Sequence, residues 1–206
     1  MLISKQTAKA LFIASLLVIS IWLFYGIHKL FLSGQCIGVL PLSVQGLPGI
    51  LLSPLQHGDL SHLISNTTPL FFSCFLLFQF HSRLASYVLV LGWWLSGTLL
   101  WTIGGIGIAQ PYITACHIGA STIIYLLLSY LFFSGLFRRE PVSILLSILV
   151  LSLYGGLAYF ILPMHFFNDN VPSNLSWQGH LAGALIGLLL AYLFRSFARV
   201  TTLSNT

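Results

Sequence analysis

A few serine, histidine, asparagine and tyrosine residues stand in stretches otherwise built of Leu, Ile, Phe, Val and Ala. Polar groups in such surroundings are expensive, so each asks for a reason. They fall in three clusters: His57-Gly-Asp-Leu-Ser-His62-Leu-Ile-Ser-Asn66; His117-Ile-Gly119-Ala-Ser121-Thr122 with Tyr125 one turn on; and Trp177-Gln-Gly179-His180-Leu-Ala-Gly183 followed by Gly187. A serine hydroxyl is a poor nucleophile until a base takes its proton as it attacks. A neutral histidine does this and then returns the proton to the leaving amine. Ser121 and His180 are the candidate pair. No buried carboxylate offers itself as a third member, because Asp59, Glu140 and Asp169 fall in loops or at the ends of apolar stretches. The expectation is a Ser–His dyad, with Tyr125 packed on the imidazole to orient it. Acyl transfer also needs donors aimed at an oxyanion. The N–H groups at a helix start lack intrahelical partners and favour negative charge, and Asn66 and His62 could add side-chain donors. One such donor is worth about 3–4 kcal/mol of transition-state stabilisation.

The elements that must position these groups follow from the composition. Charged residues make up 5% of the 206 residues and hydrophobic ones 57%. A soluble domain carries roughly a quarter of its residues as charges, so lipid is the expected solvent for most of this surface. The net charge of +5 is scattered and forms no basic patch, which excludes a nucleic-acid partner. About 20 apolar residues cross the hydrocarbon core as helix, and six stretches qualify: 8–27, 60–80, 84–103, 119–137, 142–162 and 179–198. The fold class is therefore all-α, a polytopic membrane protein forming one membrane domain over 1–206. The first stretch is too long for the apolar part of a signal peptide and has no evident cleavage site, so it reads as retained. With the N-terminus inside, Lys5, Lys9, Arg83, Arg138, Arg139, Arg195 and Arg199 are cytoplasmic and Lys29 alone is outside, the bias expected of an inner-side anchor set. Both termini are then cytoplasmic. The outer loops are long: 28–59 is apolar enough to lie in the outer leaflet, and 163–178 is polar and turn-prone, a plausible cap on the water entrance.

Depths and faces agree. Ser121 lies 17 residues from Arg138 and Asn66 17 from Arg83, each roughly 26 Å of helix; His180 lies 15 from Arg195, roughly 22 Å. Three helices thus place their polar groups a little below the outer boundary. His62 and Asn66 share a face, as do Ser121 and Tyr125. Gly183 and Gly187 share the face of His180 and let another helix approach closely. If that helix is the fourth, Ser121 and His180 come within hydrogen-bond reach.

These motifs resemble the rhomboid intramembrane proteases. The resemblance rests on H-x4-H-x3-N in the second span, G-x-S in the fourth and G-H-x-x-G-x-x-x-G in the sixth. The flanking segments GLPGILLSPLQHGDLSHL and VPSNLSWQGHLAG support it, over roughly residues 46–190. It implies a six-transmembrane-helix rhomboid-type bundle and a serine endopeptidase that cuts transmembrane protein substrates. Ser121 is then the nucleophile, His180 the base, and Asn66, His62 and the Ser121 N–H the oxyanion hole, with Gly119 and Tyr125 in the same motifs. His57 matches a structural or supporting histidine. Two departures are visible: the usual G-x-S-G reads Gly119-Ala-Ser121-Thr122, and the Trp-Arg pair common in the first loop is absent. Thr122 is expected to crowd the fourth helix against its neighbour.

Other readings compete. A catalytically inactive rhomboid-like protein that binds membrane segments would keep the fold, with Thr122 as its support. A metal or haem protein using His57, His62 and His180 would leave Ser121 and Gly119 unexplained, since zinc sites need three or four well-placed ligands with supporting partners; no metal and no cofactor are expected. Singly, His62 and Asn66 read equally well as interhelical glue, Ser121 as a back-bonded serine and Tyr125 as core. His28, His81 and His165 read as interfacial and His117 as a loop residue. Cys36 and Cys116 fall on one side of the membrane and could pair, but three unpaired thiols are the expectation. The compact form points to a bacterial inner membrane, with the lipid bilayer as partner and the site opening to the outer side.

Overall fold

The computed structural model describes residues 3–107, 115–162 and 176–197. Most of the 163–178 loop, with Asp169 and His165, lies outside the described residues, as do residue 198 and Arg199.

The described residues are mostly helical, with no strand among them. Helix α1 (Lys5–Phe31) starts at Ser4, whose Oγ accepts from the Thr7 N–H. It buries only a stripe, Ala10, Ala14, Ile21 and His28, spaced to stay on one face. That stripe packs on α3, and the small alanines allow close approach. The remaining face shows Phe12, Leu16, Ile19, Leu23 and Ile27 to the surroundings, as a lipid-facing helix must. The next segment, 32–59, holds a 3-10 turn (Val44–Gly46) and the short helix α2 (Gly49–Leu52). It folds back on α4: Trp93 Nε1 donates to the Leu51 carbonyl at 3.1 Å and Trp101 Nε1 to the Ser43 carbonyl at 2.9 Å. Helix α3 (Leu60–Phe80) begins at Asp59, whose carboxylate accepts from the His62 N–H at 2.8 Å.

Helix α4 (Ala85–Ile103) leads to α5 (Ser121–Arg138), the centre of the bundle. Ile123, Ile124, Leu126, Leu127, Leu128, Tyr130 and Leu131 are all buried, so the first three turns of α5 are covered on every side. Helix α6 (Pro141–Tyr154) starts on a proline, which costs nothing where the N–H has no partner. It tightens into a 3-10 segment (Gly155–Ile161) at the Gly155-Gly156 pair. Helix α7 (Trp177–Leu193) lies against α5 and α4. Among the described residues there is no strand, only an isolated antiparallel bridge between Val39 and His117.

Among the described residues, five helical segments are long and apolar enough to cross a membrane: α1, α3, α4, α5, and α6 with its 3-10 continuation. α7 is apolar but spans 17 residues. The basic anchors collect at one end. There Gln6 Nε2 of α1 donates to the Gln79 carbonyl of α3, and Arg138 donates to the Phe194 carbonyl beyond α7 at 2.9 Å. At the opposite end Lys29 donates to the Gly58 carbonyl at 2.8 Å.

Two expectations change, for the cysteines and for the stretch 142–162, and two histidines gain partners. Cys36 and Cys116 form a disulfide, with Cα atoms 6.0 Å apart, and Cys74 alone is a free, buried thiol. The Val39–His117 pairing lays the two segments antiparallel and brings the cysteines together, which a separation of 80 residues does not announce. His28 and His81, expected to be interfacial, lie at the ends of α1 and α3 with their side chains buried. His28 Nε2 meets Gln35 O and Gln56 Nε2, while His81 packs edge-on to Tyr130 beside Ser134. The stretch 142–162 is not a uniform helix, because the glycine pair lets it tighten.

Candidate active site

Ser121 is the first residue of α5. The turn before it is built from glycine: Gly119 has φ +107°, and a Cβ there would meet His62 Cε1 and Nε2 at 2.6 Å. Only glycine meets both demands, the left-handed backbone and the room for the imidazole. The Gly119 N–H donates to the Ser53 carbonyl at 2.9 Å, and the Ala120 N–H to His57 Nε2 at 3.4 Å. These two acceptors use up the N–H groups just ahead of the nucleophile. The Ser121 and Thr122 N–H groups, in the first turn, have no acceptor among the described residues.

His57 is therefore a strut. Its Nδ1 faces the Leu55 carbonyl at 3.3 Å, and its ring meets the His62 ring edge-on at 5.0 Å. A donor to Leu55 at Nδ1 and an acceptor for Ala120 at Nε2 describe a neutral ring. Burial, reinforced by the neighbouring His62, pushes its pKa down to about 4, against the opposing pull of the Leu55 carbonyl and Asp59. Asn66 is buried on the α3 face that also hides Leu63, Leu70 and Ser73, and its Nδ2 donates to the His62 carbonyl at 2.9 Å.

His180 lies in the first turn of α7, which Ser176 caps by accepting from the Gly179 N–H at 3.3 Å. Its ring stacks on Tyr125, with centroids 4.2 Å apart and planes 14° from parallel. Tyr125 is one turn below Ser121 on α5, so the imidazole lies over the face of α5 that carries the serine. The stack is held from outside by the 3-10 segment: Tyr125 Oη donates to the Leu157 carbonyl at 2.8 Å, and His180 Nδ1 donates to the Phe160 carbonyl at 2.9 Å. A carbonyl can only accept, so Nδ1 carries the proton and Nε2 keeps its lone pair. No hydrogen bond joins Ser121 to His180 among the described residues; what relates them is the Tyr125–His180 stack and the contact of α5 with α7.

Glycine sets that contact. A Cβ on Gly183 would lie 2.1 Å from the Thr122 carbonyl oxygen, and one on Gly187 2.3 Å from that of Leu126. Thr122 is buried, and a Cβ on Gly179 would meet its Oγ1 at 2.8 Å. The crowding expected of Thr122 is thus absorbed by Gly179 on the facing helix. Ser129 Oγ adds a cross-helix bond to the Ala184 carbonyl at 2.7 Å.

Two contributors escaped sequence reasoning, the Leu157 and Phe160 carbonyls. Backbone acceptors have no residue signature; the Gly155-Gly156 pair is their one visible trace. His117 also gains a place. It is buried, with Nε2 at 3.0 Å from the Gly104 carbonyl and Nδ1 at 2.7 Å from Ser176 Oγ. Burial lowers its pKa, against the pull of the Gly104 carbonyl. Of the three histidines in the metal reading, His57 meets the Ala120 N–H and His180 the Phe160 carbonyl; among the described residues no group of three or more His, Cys, Asp or Glu side chains is arranged for a metal.

The model of the rhomboid domain matches residues 45–197. The chain belongs to the rhomboid family. It is an integral membrane protein of that family, and the match takes in all three polar clusters. Its relatives include an uncharacterized protein of Mycobacterium tuberculosis, 35% identical over 160 residues, covering 76% of this chain and 62% of the relative. An uncharacterized protein of Mycobacterium leprae is 33% identical over 164 residues, covering 80% and 62% respectively. The chain thus spans less than two thirds of the length of these relatives.

Proposed function

We propose that this rhomboid-family chain is an intramembrane serine protease whose Ser121–His180 dyad hydrolyses peptide bonds in or near transmembrane segments. The observation that carries this reading is the fixed imidazole. His180 is stacked on Tyr125 one turn from Ser121, with Nδ1 tied to a carbonyl and Nε2 left as acceptor. The Phe160 carbonyl takes the orienting place that a carboxylate fills in a triad.

In the reaction, Ser121 Oγ attacks the scissile carbonyl carbon as its proton passes to His180 Nε2. The carbonyl oxygen becomes an oxyanion beside the Ser121 N–H, with His62 and Asn66 as side-chain donors. The C–N bond breaks, His180 gives its proton to the departing amine, and an acyl-enzyme remains. Water, deprotonated by His180, attacks the ester and frees Ser121. His57 and Ser53 serve by occupying the preceding N–H groups, which leaves the one at Ser121 for the oxyanion.

The same reading gives a single membrane domain of six spans, α7 being the sixth, with both termini cytoplasmic in a bacterial inner membrane and the site opening outward. The basic residues gathered at one end support the orientation. α7 at 17 residues is roughly 26 Å long, enough where its first turn already sits below the outer surface. Substrates carry helix-weakening Gly, Ser or Pro near the outer end, because helical peptide bonds are shielded and lipid penalises their exposure. A Gly-containing reporter is cut faster than a Leu-rich one; equal rates would reject this preference.

A fluorophosphonate probe tests the dyad. Ser121 Oγ displaces fluoride from phosphorus, so mass spectrometry should find the adduct on Ser121 of the wild type and on none of the Ser121→Ala protein. Absence of an adduct on folded wild type would favour an inactive family member that binds membrane segments.

A further inference from the structure

Resting on the protease reading, we infer that His117 is a positioning residue that sets the register between nucleophile and base. His117 lies four residues before Ser121, and Ser176 lies four residues before His180. The two are joined side chain to side chain at 2.7 Å.

The geometry fixes the proton. The Gly104 carbonyl, 3.0 Å from Nε2, can only accept, so Nε2 carries hydrogen. Nδ1 is then the acceptor of the Ser176 hydroxyl proton. Ser176 Oγ in turn accepts from the Gly179 N–H. A directed chain therefore runs from the cap of α7 through His117 to the end of α4. The ring has no slack: His117 is 5% exposed, and a Cβ on Gly104 would come 3.0 Å from its Nε2. Its backbone is pinned as well, by paired bonds to Val39 at 2.9 and 3.0 Å and by the neighbouring Cys36–Cys116 disulfide.

A register clamp is needed because of how α5 meets α7. Gly179, Gly183 and Gly187 let the helices touch backbone to backbone, which sets their separation. Such a face offers few knobs to stop one helix sliding along the other. Two polar ties supply that stop. His117–Ser176 lies one turn above the pair, and the Ser129–Ala184 bond lies below it, four residues past His180. A slide of about 1 Å is enough to cost a hundredfold in rate.

The test starts from wild-type and Ser121→Ala protein with a transmembrane reporter, which settles the protease reading itself. His117→Phe keeps a ring and removes both bonds; Ser176→Ala removes the shared hydroxyl. Each should lower kcat at least tenfold with KM within twofold, and the double variant should be no worse than either single one. His117→Asn, which restores a polar atom near the Nδ1 position, should recover much of the rate. Additive losses, or a wild-type kcat in His117→Phe, would overturn the inference. A second readout needs no turnover: imidazole 15N shifts of His180, measured in the Ser121→Ala background, should move in both variants. Unmoved shifts would sink the clamp whether or not the wild type cuts.

Discussion

Helices α5 and α7 form one kind of structure and α6 another. The first pair meets through glycines, is tied by side chains at both ends of its contact, and carries Ser121, Tyr125 and His180. α6 is largely exposed: Ile144, Leu145, Ile148, Leu149, Leu151 and Leu153 face outward, and its 3-10 continuation buries no residue. Yet this loosely packed element supplies the Leu157 and Phe160 carbonyls that orient the Tyr125–His180 stack. On the protease reading proposed above, the reacting atoms sit on the closely packed part and their last alignment comes from the more exposed one. Elements of low local stability are the ones that can move during function.

The contrast can be broken most severely at Gly183. Gly183→Val puts carbons where the Thr122 carbonyl already lies, so α7 must leave α5. A loss of at least about 3 kcal/mol and of all cleavage is expected, read by thermal unfolding in detergent and by a reporter. Leu149→Ala on the exposed face of α6 should change stability by under about 0.5 kcal/mol. Equal effects at the two positions would abolish the distinction.

Acid should act on the fixed part through His57. Its folded pKa of about 4 lies below the ordinary histidine value of 6.5, so between these values the unfolded chain binds a proton that the folded one does not. Its contribution is complete above pH 6.5 and is lost as pH falls towards 4, about 3 kcal/mol in all. His57→Gln keeps an acceptor for Ala120 and should flatten this decline, measured as melting temperature between pH 7 and 4.5. An unchanged slope would show that His57 does not carry it.

Smaller changes sharpen the comparison. Gly179→Ala pushes a methyl at Thr122 Oγ1 and should cost about 1–3 kcal/mol, with Thr122→Gly in the same chain recovering most of it. Additive effects would mean the two do not compensate. Tyr125→Phe keeps the ring under His180 but drops the bond to Leu157. Its expected cost is about 1 kcal/mol, seen as a several-fold fall in kcat; no fall would show that the 3-10 segment does not steer the stack.

Much of this arrangement was legible because lipid makes polar residues conspicuous. The starts of α3 and α5 were readable within about two residues from the apolar runs, and spacing put Tyr125 on the face of Ser121, where packing on His180 was the expectation and core packing the alternative. Helix periodicity also put Gly183 and Gly187 on the face that meets α5. What stayed hidden depends on contacts between distant segments. The Cys36–Cys116 bond follows from a backbone pairing with no sequence pattern, and His117 looks like any loop histidine until Gly104 and Ser176 close around it. Thr122 looked obstructive because the compensating Gly179 is on another helix. The Phe160 carbonyl was invisible in principle, since every residue has one.

The central claim is that Ser121 and His180 act as one catalytic unit. Its most direct test is cleavage of a transmembrane reporter by wild-type, Ser121→Ala and His180→Ala proteins reconstituted in lipid. The account predicts that wild type cuts, and that both variants stay folded while each loses cutting to the same background. A His180→Ala protein that cuts at the wild-type rate, or folded wild type that cuts none of a panel of helix-weakened reporters, would contradict it.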